Sequence, residues 1–239
     1  MTQHHLQGRT DTELLWFQRR SFLQAAAAWT AAGSLAGAQA QSRSNIVELS
    51  GDALVNGQTL RPEQSVQTGD EIVTGPRSTL IFAIGNSAFH MRQNSRMVVE
   101  RGSSITAVSL LRLLTGAVVS VWGKGSNRQI VTPTLTAGIR GTGAYTEMFA
   151  NQNGARTYFC NCYGTIDLAA GADRELSEST YHQAVWGETP LDGRSALTPA
   201  KAINHTDEEL EYLARLVGQR TAWQISGKKG NKSGTSDYY

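Results

Sequence analysis

Turn signals punctuate this chain too often for long helices. Between residues 46 and 168 they recur roughly every 8–12 residues. Asn56-Gly57, the stretch 67–70, Thr74-Gly75-Pro76, Gly85-Asn86, Thr115-Gly116 and the stretch 151–154 all carry Gly, Pro, Asn or Asp. Each residue type has its own reason to turn: Gly and Asn tolerate positive φ, Pro fixes φ, and Asp bonds to nearby backbone. The segments between them are short and rich in β-branched and aromatic residues, as strands are. This spacing predicts an all-β domain, either a sandwich or roll or a short solenoid.

The first forty residues have a different chemistry. Gln18-Arg19-Arg20-Ser21-Phe22-Leu23 precedes a weakly apolar, alanine-rich run, which ends at Ala38-Gln39-Ala40. Charged start, apolar middle and small-x-small end are the layout of a bacterial signal peptide. The arginine pair resembles a twin-arginine signal, which implies recognition of Arg19 and Arg20 by the twin-arginine translocon and export of an already folded chain. Gln24, Trp29, Thr30 and Ser34 interrupt the apolar run, and about 20 strongly apolar residues are needed to span a bilayer. Cleavage after residue 40, rather than a retained anchor, is therefore expected, with a periplasmic or otherwise extracytoplasmic product.

The remainder, about 200 residues, suits one domain with an appendage. A formal net charge of +2 for the whole chain excludes the strongly basic balance of a nucleic-acid binder. No second apolar stretch approaches membrane-spanning length. Two cysteines, Cys160 and Cys162, cannot form a disulfide framework for the fold.

Six ordered motifs between about residues 46 and 170 resemble a FecR-type domain. They are Ala53-Leu54-Val55-Asn56-Gly57; Val66-x-Thr68-Gly69-Asp70-x-Ile72-x-Thr74-Gly75; Leu113-Leu114-x-Gly116-x-Val118; Ile130-x-Thr132-Pro133; Gly138-Ile139-Arg140-Gly141-Thr142; and Tyr163-Gly164-x-Ile166-x-Leu168. FecR is an envelope protein that senses a loaded outer-membrane transporter and instructs a cytoplasmic sigma factor. No cytoplasmic helical domain precedes the signal here, so direct sigma-factor regulation is not expected. The resemblance implies an extracytoplasmic β-domain, residues 41–170, acting as a binding or interaction module.

Residues 171–226 read as a loop-rich extension ending in one helix. Thr206-Asp207-Glu208-Glu209 has the form of a capping box. Leu210, Leu213, Ala214 and Val217 then form one apolar stripe, and Gly218 stands where a helix would stop. Residues 227–239, with Lys228, Lys229 and Lys232 among Gly and Ser, read as a disordered, solubilising tail.

The unusual chemistry is Cys160-Asn161-Cys162. On a strand, residues two apart face the same side, about 6–7 Å apart, too far for an unstrained disulfide. Two thiolates so placed can grip one metal, and His182 and His205 would complete a tetrahedral set for zinc or copper. No finger pattern matches the spacing, and simple burial of the thiols is the competing expectation. His90-Met91 are adjacent in a strand and face opposite sides, so they do not share an ion. Gly138-Ile139-Arg140-Gly141-Thr142-Gly143 lacks the following helix of a phosphate loop; it reads as a turn or bulge, with Arg140 paired to a carboxylate. No nucleophile–base set or carboxylate pair stands out.

The expectation is a non-enzymatic exported module with a role in signalling. Its partner would be an envelope protein, a small ligand or a cell-wall component. The alternative is a periplasmic zinc- or copper-binding protein built on the two cysteines and two histidines.

Overall fold

The computed structural model describes residues 44–102, 107–125, 128–151, 154–190 and 193–230. The expected export signal, with Arg19 and Arg20, and the end of the tail lie outside these residues.

Among the described residues the chain forms sixteen strands and two helices. The strands are β1 (Ile46–Ser50), β2 (Ala53–Val55), β3 (Gln58–Thr59), β4 (Glu71–Thr74), β5 (Thr79–Ile84), β6 (Ser87–Met91), β7 (Arg96–Arg101) and β8 (Val108–Thr115). They continue as β9 (Ala117–Trp122), β10 (Arg128–Val131), β11 (Thr136–Ile139), β12 (Gly143–Asn151), β13 (Gly154–Ala170), β14 (Asp173–Ser179), β15 (Gln183–Glu188) and β16 (Leu197–Ala200). Helices α1 (Asp207–Leu216) and α2 (Ala222–Ser226) follow. The fold is all-β, as the turn spacing predicts: a curled half-barrel sheet with both helices near the C-terminus.

The sheet has two wings that share one strand. The first wing runs β1-β5-β6-β9-β12-β13-β15-β16, all antiparallel. The second runs β3-β2-β4-β7-β8-β10-β11-β13-β14, antiparallel except for the β8/β10 pair. Phe82, Phe89, Trp122 and Phe159 of the first wing share a core with Ile72, Met97, Leu111, Ile130 and Ile166 of the second. Fully burying a side chain of this size contributes about 1.5–3 kcal/mol.

The first wing is covered on both faces. Its other side, with Ile81, Val119, Val121, Tyr145, Tyr158 and Cys160, packs against Leu210, Leu213 and Trp223 of the helices. This explains why β6 and β9 are buried at every position, polar Ser87, His90 and Ser120 included, instead of alternating between buried and exposed.

Strand β13 belongs to both wings because it carries a bulge. Tyr163 pairs with Gly143 and Asn161 with Ala144, so Cys162 is the extra residue. Side-chain parity flips there. Phe159 faces the shared core before the bulge, whereas Ile166, Leu168 and Ala170 face it after. Gly164 takes φ +103°, and a Cβ there would stand 2.6 Å from the carbonyl oxygen of Gly141. Asn161 pins the kink: its amide donates to the carbonyl of Gly164 at 3.1 Å and to Ser177 Oγ at 3.0 Å.

The extension departs from the sequence expectation. Residues 171–200 are not loop-rich: β14, β15 and β16 lie there. At 17 residues, β13 offers a bonding edge in each wing, taken by β14 in one and β15 in the other. The boundary expected after residue 170 falls in a hairpin, where Ala170 pairs with Asp173. A second helix, α2, joins the expected one, with its own capping box of Thr221 and Gln224. Arg140 pairs with Asp167 at 2.8 Å, as expected of it. Residues 227–230 stay against the domain, with Lys229 paired to Asp207.

Helix α1 has the anticipated capping box, in which Thr206 accepts from the Glu209 amide and Glu209 from the Thr206 amide. Glu209 does more than cap. Its second oxygen pairs with Arg92, just past β6, in a buried contact, with His90 Nδ1 at 3.5 Å. The cap thereby fixes the helix to the sheet.

Candidate metal centre

Three separate segments converge beneath α2. Cys160 and Cys162 come from β13, His182 from the turn before β15, and His205 from the segment leading into α1. The two sulfurs and one nitrogen of each imidazole all lie within 4.8 Å of one another. Cys160, Cys162 and His182 have no solvent exposure and His205 has 1%. The structure therefore brings together all four residues that the sequence reading selected, across 45 residues of chain. The bulge at Cys162 draws the sulfurs closer than the 6–7 Å expected of a regular strand. Neither cysteine forms a disulfide.

Local backbone explains how the histidines arrive. His182 adopts φ +43°, a left-handed conformation that turns the chain between β14 and β15. Its amide donates to the carbonyl of Cys162 at 2.9 Å, fastening the turn to the bulge. Asn204, at φ +59°, turns the chain just before His205. Tyr158 holds that segment, donating to the carbonyl of Lys201 at 2.9 Å and accepting from the Ile203 amide at 3.0 Å.

The ring nitrogens are sorted by their neighbours. His182 Nε2 lies 2.9 Å from Asp207 Oδ1, and His205 Nδ1 lies 2.6 Å from the Ile203 carbonyl. Both partners are acceptors, so both outer nitrogens carry the hydrogen. The inner pair, His182 Nδ1 and His205 Nε2, face each other at 3.0 Å, and His182 Nδ1 is 3.7 Å from Cys160 Sγ. In the neutral rings these inner nitrogens present only lone pairs. Facing nitrogens at this distance are satisfied either by a shared hydrogen or by a metal ion that both ligate.

Sulfur chemistry points the same way. Burial alone would raise the Cys160 thiol. The hydrogen bond from Cys162 and the electrostatic and hydrogen-bond contributions of His205 and His182 outweigh it and hold the thiol well below its usual range. The thiolate is the form that ligates metal. A tetrahedral zinc site with bonds of about 2.0–2.3 Å sets neighbouring ligand atoms about 3.3–3.8 Å apart. The observed separations bracket that range.

Aromatic rings close the site. Trp223 of α2 stacks on His182 at 5.4 Å, and Tyr145 on His205 at 4.8 Å. Tyr163 and Tyr181 meet Trp223 edge-on at 5.5 and 5.4 Å. Burial and then the charge on Cys162 push the Tyr163 phenol upward, so it stays neutral. Sequence reasoning missed Asp207, Tyr145 and Trp223, and only Asp207 left a trace, as the first residue after the helix cap. An open cleft lined by Asn45, Val66, Thr68, Ile84 and Arg101 lies elsewhere and includes none of the four ligand residues. His90 and Met91 face opposite sides of β6, Met91 toward the shared core and His90 toward Glu209.

No family model matches the chain, and no curated protein matches it. Two crystal structures of a candidate anti-sigma factor from Parabacteroides distasonis align with part of it. One aligns with a TM-score of 0.42 at 7% identity, over 65% of this chain and 62% of that one. The other aligns with a TM-score of 0.43 at 8% identity, over 67% and 63%. The chain thus spans less than two thirds of the length of that protein. No helix among the described residues is long and apolar enough to cross a membrane.

Proposed function

We propose that this protein is an exported, non-enzymatic β-domain of FecR-like character, held in shape by a closed four-ligand zinc centre. Cys160, Cys162, His182 and His205 supply the ligands. The observation that carries the reading is the meeting of four buried donors from three segments, with both outer imidazole nitrogens already satisfied.

Catalytic zinc sites keep one coordination position open to water or substrate, whereas structural sites are closed by four protein ligands. Here all four positions are taken by protein and the surroundings are aromatic. Copper(I) suits the same soft donors, but two imidazoles beside two thiolates in a tetrahedral arrangement favour zinc. Cys160, His182 and Asp207 also stand in the order of a nucleophile, its base and the group that orients the base. The full enclosure of Cys160 argues against that use, because a substrate carbon cannot reach the sulfur.

The signal-like first forty residues and the six FecR-like motifs support export and a binding or signalling role in the envelope. The partner is an envelope protein, a small ligand or a cell-wall component, met by loops that the metal-braced scaffold presents.

Elemental analysis of the untagged mature protein beside a Cys160→Ser/Cys162→Ser variant tests the centre. About one equivalent of zinc in the parent and none in the variant is expected, as for a four-ligand site. Metal-free parent protein with two titratable thiols would sink the reading and leave the cysteines as packing residues.

A further inference from the structure

The two imidazoles of the centre are oriented by different means. The hydrogen of His205 goes to a backbone carbonyl two residues away, a local contact. The hydrogen of His182 goes to a carboxylate on another element, Asp207, 25 residues further along. Asp207 is the first residue of α1 and only 5% exposed. Its second oxygen accepts from the Tyr181 hydroxyl at 2.9 Å and pairs with Lys229. Its acceptor capacity is therefore used on both sides.

We infer that Asp207 is a positioning residue of the metal centre: it holds His182 in the Nε2–H form, directs Nδ1 to the metal, and makes the affinity of the site depend on the seating of α1. The inference rests on the zinc reading above. A carboxylate behind a ligating imidazole fixes the tautomer and ring direction and makes the ligand more basic. The charges also close. Two thiolates and two neutral imidazoles balance a divalent ion, and Asp207 is balanced by Lys229. A metal-bound His182 is a stronger donor through Nε2, so binding metal tightens its bond to Asp207. The helix start and the metal then stabilise each other, since binding linkage is reciprocal.

Three other features agree. His182 is held in its left-handed turn by its amide bond to Cys162. Trp223 stacks on the same ring at an interplanar angle of 27°. Thr206, the cap of α1, separates the ligand His205 from Asp207, so one stretch of three residues supplies a ligand, a cap and the orienting carboxylate.

The test uses the full mature protein with Asp207→Asn, Asp207→Ala and the double cysteine variant. Zinc affinity is read by competition with a chromophoric chelator, and cobalt(II) substitution reports coordination through its visible absorption. Nitrogen-15 shifts of the His182 ring report which nitrogen is protonated. Asp207→Ala is expected to keep one equivalent of zinc but bind it about 10–100-fold more weakly, the usual effect of removing such a partner. Asp207→Asn, whose amide oxygen still accepts from Nε2–H, should lie between the two and retain the parent ring pattern. The thermal midpoints of the metal-free proteins separate a purely structural role, which would lower them without moving the affinity. Unchanged zinc affinity in both Asp207 variants, with metal lost in the cysteine variant, would overturn this inference and leave the zinc centre standing. Parent-like zinc in the cysteine variant would overturn both.

Discussion

Arg92 and Glu209 are joined in a buried ion pair that spans 117 residues of sequence and fastens the first turn of α1 to the sheet. The other oxygen of Glu209 accepts from the Thr206 amide at 2.9 Å, so one carboxylate serves both cap and anchor. Glu209→Gln keeps an oxygen for the cap but removes the charge facing Arg92. Breaking one side of a buried pair costs about 3–5 kcal/mol. Urea unfolding of the variant should show a loss of that order; a loss below about 1 kcal/mol, the value of an exposed pair, would mean that the contact is not buried in solution.

Removing the metal should loosen the C-terminal arm before the shared core. A ligand present at a thousand times its dissociation constant stabilises the form it binds by about 4 kcal/mol. Of the four candidate ligands, only His205 lies on that arm. Hydrogen exchange after chelation is therefore expected to quicken across residues 203–226 while β5, β6 and β9 stay protected. Uniform quickening would place the metal in the global folding of the domain instead.

The bulge in β13 offers a test at the backbone. Gly164 has φ +103°, and its added Cβ would meet a carbonyl oxygen at 2.6 Å. Gly164→Ala should destabilise the protein by more than about 1 kcal/mol, since the side chain is strained by both conformation and contact. The same shift would move Cys162, so zinc affinity should fall with stability. Undiminished affinity would separate the bulge from the centre.

Asp173 predicts an acid-sensitive corner. Its carboxylate accepts from Ser195 Oγ at 2.5 Å and from the amides of Leu197 at 3.2 Å and Ala196 at 2.6 Å, and these bonds hold its pKa below the ordinary value. A depressed carboxylate contributes stability above its unfolded pKa, lost as pH falls through the folded one. Amide exchange at residues 195–197 should accelerate below about pH 4, the region where free Asp titrates. In Asp173→Asn that acceleration should disappear.

Much of the strand pattern is legible because turns leave chemical marks. Asn56 and Gly57 take φ +50° and +77°, as the dipeptide implies, and Thr206 caps where its neighbours say it should. Around β14–β16 the turns are marked, by Gly171 at φ +52° and Gly193 at φ +72°, but the strands themselves are not. Arg174, Glu175 and Glu178 interrupt any apolar alternation, Leu176 is exposed, and the strand exists because β13 gives it a partner. The four residues of the candidate centre were legible by residue type alone. Their convergence was not, since it depends on a parity flip at Cys162 that no local pattern announces. Asp207 and Trp223 join the site through the docking of the arm, which is a property of the whole fold.

The distribution of ligands along the chain gives synthesis a direction. All sixteen described strands precede His205, and a polypeptide leaves the ribosome N-terminus first. A nascent chain can hold the two sulfurs and His182 in place and still lack the fourth donor. On the proposed zinc reading, an ion held by all four donors would enter only a chain whose described strands have all been made. A filled centre would thus mark a chain whose sheet is complete, with the two helices still to be laid over it.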